Sequence, residues 1–474
     1  MSAHDYDVVV LGGGGAGLAA AVAAAEAGAS VMLFESEGEL GGSTQLSAGM
    51  FTAAGTSVQR ALGVQDDPEH FFQHYMDLNQ WMLTPGLVRA FCQQAAPTLE
   101  WLIGLGAHFP PALSGNAHTP GLCRAGVEDV WRGHVPRDQG YGLVQVLDTA
   151  RRERGVEVVL HTRVQRLLHA EGRVVGVVAD GVEVAAGAVV VATGGLARDP
   201  ELVDRYYPAA GRAGDALFVV AAAGSRGDHL RLGAQVGTAV AGQGWGLLLP
   251  TASFVRHHHW EAGFAPPSRV HVNTLGRRFM DEDASYAVSG GILDRQGGPA
   301  WAVFDERARQ ALPAGYADWD ADNVLRQVET GRVVRADTLE ELAGRTGVPA
   351  AALAATVDRW NRQAAEGVDQ DFLHHETLAA KGADPVLPPI AVAPFYAVQV
   401  LPNELVCTHA GIEIDSSAAA LDEQGARVPG LYAAGEAGAG VLGPRYVGGG
   451  NAVANALTFG RAAGSGAAAA ARTT

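Results

Sequence analysis

The stretch at residues 6–36, YDVVVLGGGGAGLAAAVAAAEAGASVMLFES, constrains the fold more than any other part of the chain. Residues 7–11 are a short valine-rich run, the pattern of a strand buried on both faces of a parallel sheet. Glycines follow at once, and Gly12, Gly14 and Gly17 keep the G-x-G-x-x-G spacing. The first permits a tight turn, the second lets backbone approach a pyrophosphate, and the third lets the next helix pack on the strand. Residues 16–27 then read as an alanine-rich helix stopped by Gly28, with its N-terminal amides and dipole facing the turn, where they hold phosphate. Residues 30–34 form the next strand, and Glu35 stands at its end, where a carboxylate accepts hydrogen bonds from ribose hydroxyls. A glycine spacing alone is weak, but strand, turn, helix and acid together make one dinucleotide-binding unit.

Gly41-Gly42-Ser43-Thr44 follows shortly after that acid. The dinucleotide unit, Glu35 and this turn together resemble the FAD-binding flavoproteins of the fumarate reductase and ketosteroid dehydrogenase superfamily. Further signatures occur in the superfamily's order: AVVVATGG at 188–195, the Gly227-Asp228 turn before a helix, RRFMDED at 277–283, GLYAAGEAG at 430–438, and VGGGNAVANALTFG opening the last helix. The resemblance covers nearly the whole chain. It implies an α/β fold in which a Rossmann-like FAD-binding domain, a parallel sheet with helices, carries an inserted α+β capping domain, the active site lying between them. The boundaries expected are 1–245 with 407–474 for the flavin domain and 246–406 for the cap. It also implies a cofactor site of Gly12, Gly14, Gly15, Ala16, Gly17, Glu35, Gly41, Gly42, Ser43, Thr193, Gly194, Asp228, Glu436, Asn451 and Ala452. The FAD is expected to be non-covalent, because no histidine directly follows the Gly-Gly-Ser turn. A second G-x-G-x-x-G is missing after the ATGG strand, so the expected electron acceptor is external: a quinone, oxygen or an electron-transfer protein.

Composition narrows the partners. With 34 Lys and Arg against 51 Asp and Glu, the net charge of -17 offers no general attraction to nucleic acid or to an anionic membrane. Cys92, Cys123 and Cys407 lie far apart without a C-x-x-C pair, which fits a reducing cytoplasm and indicates neither a disulfide framework nor an iron-sulfur cluster. Asp5 and Asp7 occupy positions where a signal sequence needs positive charge, and the alanine-rich 454–471 is broken by Gly460, Arg461, Gly464 and Gly466, so no membrane span is expected. Helical patterns cover 68–79, 85–105, 338–343 and 349–365, and valine-rich strands at 163–168 and 174–180 flank Gly172 as a hairpin turn. Trp101, His108, His118, Trp131 and His134 are pocket candidates, though scattered aromatics and histidines more often sit in a core or on a surface. Their spacing is not that of a zinc site, and the adjacent histidines at 257–259 cannot all point inward; no metal is expected.

Two places bear on the branch. Where fumarate reductases place a proton-delivering arginine after the RF and acidic run, this chain has Tyr286, and their HTMGG becomes Cys407-Thr408-His409-Ala410-Gly411. Ketosteroid 1-ene-dehydrogenases carry a tyrosine base at the first place and a Y-x-G-x-G element before the last helix, here Tyr446-Val447-Gly448-Gly449-Gly450. The resemblance therefore implies Tyr286 as base, with the Tyr446 hydroxyl and Gly450 amide as donors to a substrate carbonyl, an arrangement worth roughly 3 kcal/mol per donor. A phenol, with a reference pKa of about 10, needs its anion stabilised to serve as a base. Arg445 lies almost where fumarate reductases bind a substrate carboxylate, and His409 is the displaced histidine; both are candidate substrate contacts. Four readings stay open: desaturase of a cyclic ketone or ketosteroid, desaturase of a keto acid such as 4-oxocyclohexanecarboxylate, reductase of an unsaturated acid, and a non-catalytic flavin-binding electron-transfer module.

Overall fold

In a computed structural model of the protein, the described residues are 4–114, 118–124, 126–257, 266, 268–312, 318–381 and 383–473. They form two compact units, Met1–Gly211 with Val219–Leu247 and Val406–Thr474, and Arg212–Phe218 with Leu248–Leu405.

The first unit is built on the opening strand, Tyr6–Leu11. Val8, Val9 and Val10 are fully buried, as a central parallel strand requires. It pairs in parallel with Val31–Phe34 on one side and Val182–Val191 on the other. Glu157–Val159 extends the first edge and Arg427–Ala433 the second, both in parallel. The C-terminal segment thus returns to the sheet that the N-terminus begins. The expected hairpin is present as Val164–Ala170 and Arg173–Ala179, with Gly172 at φ +77° in its turn. Helix Gly15–Glu26 packs against the last helix, Asn451–Arg472. A Cβ on Gly460 would stand 2.3 Å from the Ala16 carbonyl oxygen, and one on Gly464 would stand 2.0 Å from that of Ala20. These glycines, four apart on one helix face, let two backbones approach where larger residues would hold them apart. His134 is part of this core: its Nε2 lies 2.8 Å from Thr56 Oγ1 and its Nδ1 lies 2.7 Å from the Arg132 carbonyl. Trp101 Nε1 donates to Glu26, and His108 lies 2.9 Å from Arg137, so these candidates serve structure.

The second unit has an antiparallel sheet in which Phe395–Thr408 pairs with both Ala300–Asp305 and Val333–Ala336, and Ala300–Asp305 pairs with Val270–Val272. Alternate residues of Ala300–Asp305 enter different cores: Ala302 and Phe304 pack with Trp319 and Tyr396, while Val303 packs with Leu342, Leu353 and Trp360. Period-two alternation covers both faces of the sheet. Helices Leu339–Thr346 and Ala350–Glu366 end at Gly347 and Gly367, both left-handed, as a glycine C-cap allows. The segment Arg212–Phe218 belongs here through Arg212 on Asp294 and the Ala216 carbonyl on Asn403. Of the adjacent histidines, His257 is exposed and its amide donates to Asp318; the other two lie outside the described residues. Among the described residues no helix is long and apolar enough to cross a membrane.

Candidate active site

The glycine turn has the close approaches its spacing predicts. A Cβ on Gly17 would stand 1.8 Å from the Gly12 carbonyl oxygen, and Gly12 itself takes φ +101°. The second glycine-rich turn packs on the first, with Gly41 N donating to Gly13 O at 2.9 Å and Gly15 N to Thr44 Oγ1 at 3.3 Å. Gly42, Ser43 and Thr44 open a short helix, Gly42–Leu46. Ser43 Oγ accepts from Ala222 N. Glu35 is buried and accepts from Gly13 N at 2.6 Å and Glu37 N at 2.9 Å, so this acid also fixes the turn.

Further sequence candidates border this region. The strand Val182–Val191 leads to Thr193, whose hydroxyl is buried without a partner among the described residues, and to Gly194 at φ +75°. Glu436 is half-buried, accepts from Thr408 N at 2.8 Å, and its carboxyl is pushed up to about 7 by desolvation. Asn451 donates from Nδ2 to Tyr75 Oη while its Oδ1 is buried and unpartnered among the described residues. Asp228 opens helix Asp228–Ala234 and is ion-paired to Arg163. Ala16 is buried, and a Cβ on Gly14 would meet nothing nearer than 3.9 Å. Orphaned buried oxygens, a glycine-lined cradle and a helix N-terminus fit a dinucleotide cofactor.

The head of the last helix carries the second group. Tyr446 is buried, its oxygen accepts from Ala452 N at 2.8 Å, and burial holds the phenol well above its ordinary range, so it stays protonated and able to donate. His409 stacks on it with ring centroids 6.5 Å apart. The His409 Nδ1 lies 3.0 Å from the Gly443 carbonyl, which makes that nitrogen the protonated one, and burial pushes the ring down to about 4. His409 is therefore neutral. Gly450 caps the helix at φ +88°, where a Cβ would lie 2.3 Å from the Met50 carbonyl, and no group among the described residues accepts its amide proton. Arg445 is half-buried; Asn79 Oδ1 accepts from its backbone N, and no described residue pairs with its guanidinium. Sequence reasoning missed Tyr75, Asn79 and Glu128, the last of which accepts from Gly449 N at 2.5 Å. They come from helix Pro68–Leu78, the turn after it and an irregular loop, and carry no motif.

In the second unit, Tyr286 is the buried first residue of helix Tyr286–Asp294, which Ser285 caps by accepting from Ala287 N. The acidic run before it is bound up in ion pairs. Arg278 bridges Glu282 at 2.5 Å and Asp369 at 2.8 Å, and His374 lies 2.5 Å from Asp281. Asp281, Glu282 and His374 have ligand atoms within 4.8 Å of one another, yet Arg278 already neutralises Glu282.

The FAD binding domain family matches residues 7–453. The chain belongs to that family. Its relatives include a fumarate reductase (cytochrome) of Shewanella frigidimarina, 31% identical with 98% of this chain and 77% of that protein covered. A 3-oxosteroid 1-dehydrogenase of Mycobacterium tuberculosis is 28% identical, with 97% of this chain and 98% of that protein covered. Among solved structures, the 3-ketosteroid-Δ4-(5α)-dehydrogenase of Rhodococcus jostii superposes with a TM-score of 0.78 at 28% identity, covering 99% of this chain and 98% of that one. The protein is thus an FAD-dependent oxidoreductase of a family whose members act on CH–CH groups, and the non-catalytic reading falls away. The relatives divide between the two branches at nearly equal identity.

The cofactor is expected to leave with denaturation. Acid precipitation should put the yellow flavin in the supernatant, and flavin retained in the washed pellet would refute non-covalent binding.

Proposed function

We propose that this flavoprotein desaturates a cyclic ketone by α,β-dehydrogenation, the substrate being a 3-ketosteroid or a smaller cyclohexanone, including a keto acid such as 4-oxocyclohexanecarboxylate. The observation that carries the reading is at the head of the last helix, where a protonated buried phenol bonds to Ala452 N and the Gly450 amide lacks an acceptor among the described residues. These are two neutral donors of the kind that stabilise a developing enolate oxygen. Gly12, Gly14, Gly15, Ala16, Gly17, Glu35, Thr193 and Asn451 would hold the FAD, which supplies the acceptor for the β-hydrogen as hydride. In this reading Tyr286 takes the α-proton, and Tyr446 and Gly450 hydrogen-bond the ketone oxygen. The inserted residues 246–406 act as the substrate-capping domain. Reoxidation is by an external acceptor: a quinone, oxygen or an electron-transfer protein.

A second reading, reduction of an unsaturated carboxylic acid, is favoured by one observation, the half-buried Arg445 guanidinium with no described partner. Arginine binds carboxylate through two parallel hydrogen bonds. Anaerobic mixing with saturated cyclic ketones, ketosteroids, keto acids and succinate separates the readings through loss of flavin absorbance. A ketone that bleaches the flavin supports the desaturase. Turnover of fumarate with a reduced dye, together with no bleaching by any ketone, would replace that reading with the reductase.

Arg445→Ala then identifies the acid. Removing one partner of a desolvated charge pair costs about 2 kcal/mol or more, so keto-acid affinity should fall roughly 30-fold or more while neutral ketones are unaffected. Equal effects on both substrate classes would assign Arg445 a structural role.

A further inference from the structure

Glu128 is almost wholly buried, and both its carboxylate oxygens hold backbone amides. Oε1 accepts from Gly449 N at 2.5 Å, and Oε2 accepts from Gly126 N at 2.6 Å. Its own carbonyl takes Arg124 Nε and Nη2 at 3.0 and 2.8 Å, which anchors the loop from the other side. The backbones meet because both are glycine: a Cβ on Gly126 would lie 2.7 Å from Gly448 Cα, and one on Gly448 would lie 2.4 Å from Glu128 Oε1. No side chain hydrogen-bonds this carboxylate among the described residues, and burial pushes its carboxyl above the ordinary range. A buried acid held only by amides is costly to keep in a fold. Arginine and lysine do not neutralise it at contact distance, unlike Glu282 with Arg278.

The place it holds explains the cost. Among the amides that begin the last helix, Gly449 N is bound by Glu128, Asn451 N by the Gly448 carbonyl and Ala452 N by Tyr446. Gly450 N, between them, is left without a described acceptor. The turn has left-handed backbone at Gly450 and no side chains of its own at 448–450, so it has little intrinsic stiffness. A donor that is to act on developing charge must be held in place beforehand.

We infer that Glu128 is a positioning residue: by clamping Gly449 N and the facing Gly126 N it fixes the glycine turn, and through it the Gly450 amide and the Tyr446 hydroxyl, for a substrate oxyanion. The inference rests on the reading of those two groups as carbonyl donors. Glu128 itself does not touch substrate and exchanges no proton in the reaction.

The test uses the FAD-loaded enzyme with Glu128→Gln and Glu128→Asp. Glutamine keeps the volume but presents an NH2 group to one of two amides that both need acceptors, whereas aspartate keeps a carboxylate on a shorter arm. In Glu128→Gln, flavin content and spectrum should match the parent, and hydrogen exchange in the peptide spanning 446–452 should quicken. The rate of ketone bleaching at saturation should fall roughly tenfold or more, a fraction of the loss for removing a whole donor. The substrate concentration for half-maximal rate should change less than threefold, and Glu128→Asp should recover part of the rate. Faster exchange with an unchanged bleaching rate would overturn the inference, as would equal loss in both variants with flavin released. Should no ketone bleach the parent enzyme, the desaturase reading has failed, and the clamp is then judged with 4-nitrophenolate, a planar mimic of a cyclic enolate. Its absorbance shift on binding should be retained in the parent at roughly tenfold higher affinity than in Glu128→Gln, and equal affinity, or no binding to the parent, overturns the inference.

Discussion

Tyr286→Phe is expected to slow anaerobic bleaching of the flavin by a ketone at least roughly a hundredfold while FAD stays bound. The substitution deletes one hydroxyl and almost no volume, so the second unit should keep its fold. General base catalysis contributes roughly 10²–10⁴-fold, and the bleaching rate should fall within that range. Tyr286 opens the nine-residue helix Tyr286–Asp294, whose N-terminal dipole favours a negative charge there by about 0.3–1 kcal/mol. That is a partial answer to what makes a phenol basic. Tyr446→Phe should behave differently, slowing bleaching by roughly 10²–10³-fold through loss of one donor and freeing Ala452 N from its acceptor. Stopped-flow absorbance at the flavin band measures both. Wild-type rates in Tyr286→Phe would end the desaturase reading, whatever Tyr446→Phe does.

The protein is also expected to lose stability steeply on mild acidification. His134, His229 and His409 are each pushed down to about 4 by burial, and His271 is held well below its ordinary range for the same reason. Between pH 6.5 and 4 the unfolded chain protonates these rings and the folded chain does not, so the unfolded state binds more protons and stability falls as pH falls. Each such group contributes a slope of about 1.4 kcal/mol per pH unit. Glu436, pushed up to about 7, and Glu128, raised by burial, act in the opposite sense, because the folded state binds their protons more tightly. The buried imidazoles outnumber the raised carboxyls, so the net effect below pH 6.5 is a loss of stability as pH falls. Calorimetric melting at pH 7, 6 and 5 measures it. His229→Gln should flatten the curve by one group's share, since among the described residues that ring hydrogen-bonds the Ala410 carbonyl alone, through Nε2. A melting temperature independent of pH in this window, or a slope unchanged in the variant, would contradict the assignment.

The dinucleotide unit was legible in the sequence because its requirements are local. A buried strand, three glycines and a helix start lie within a few residues of one another, and a missing Cβ at Gly17 is needed by contact with Gly12, five residues away. The hairpin at Gly172 was readable for the same reason. The last helix shows where such reading stops. Its glycines at 460 and 464 looked like interruptions in an alanine-rich run, and only the presence of the Ala16 and Ala20 carbonyls across the interface gives them a purpose.

The site divides along the same line. Resemblance to a known family of flavoproteins, carried by motifs in order along the chain, named Tyr446, Gly450, Arg445 and Glu436 as candidates. Sequence by itself determined the nucleotide-binding unit, because it follows from short-range stereochemistry, while the flavin cofactor and the candidates near the last helix followed from the resemblance of ordered motifs to a known family. Only tertiary structure decided the protonation states of Tyr446, His409 and Glu436, since burial sets them and burial is a property of the assembled fold. The same holds for Glu128, whose partner amide lies 321 residues away along the chain: no local pattern marks a carboxylate whose role is defined by a loop that arrives from the other end of the sequence.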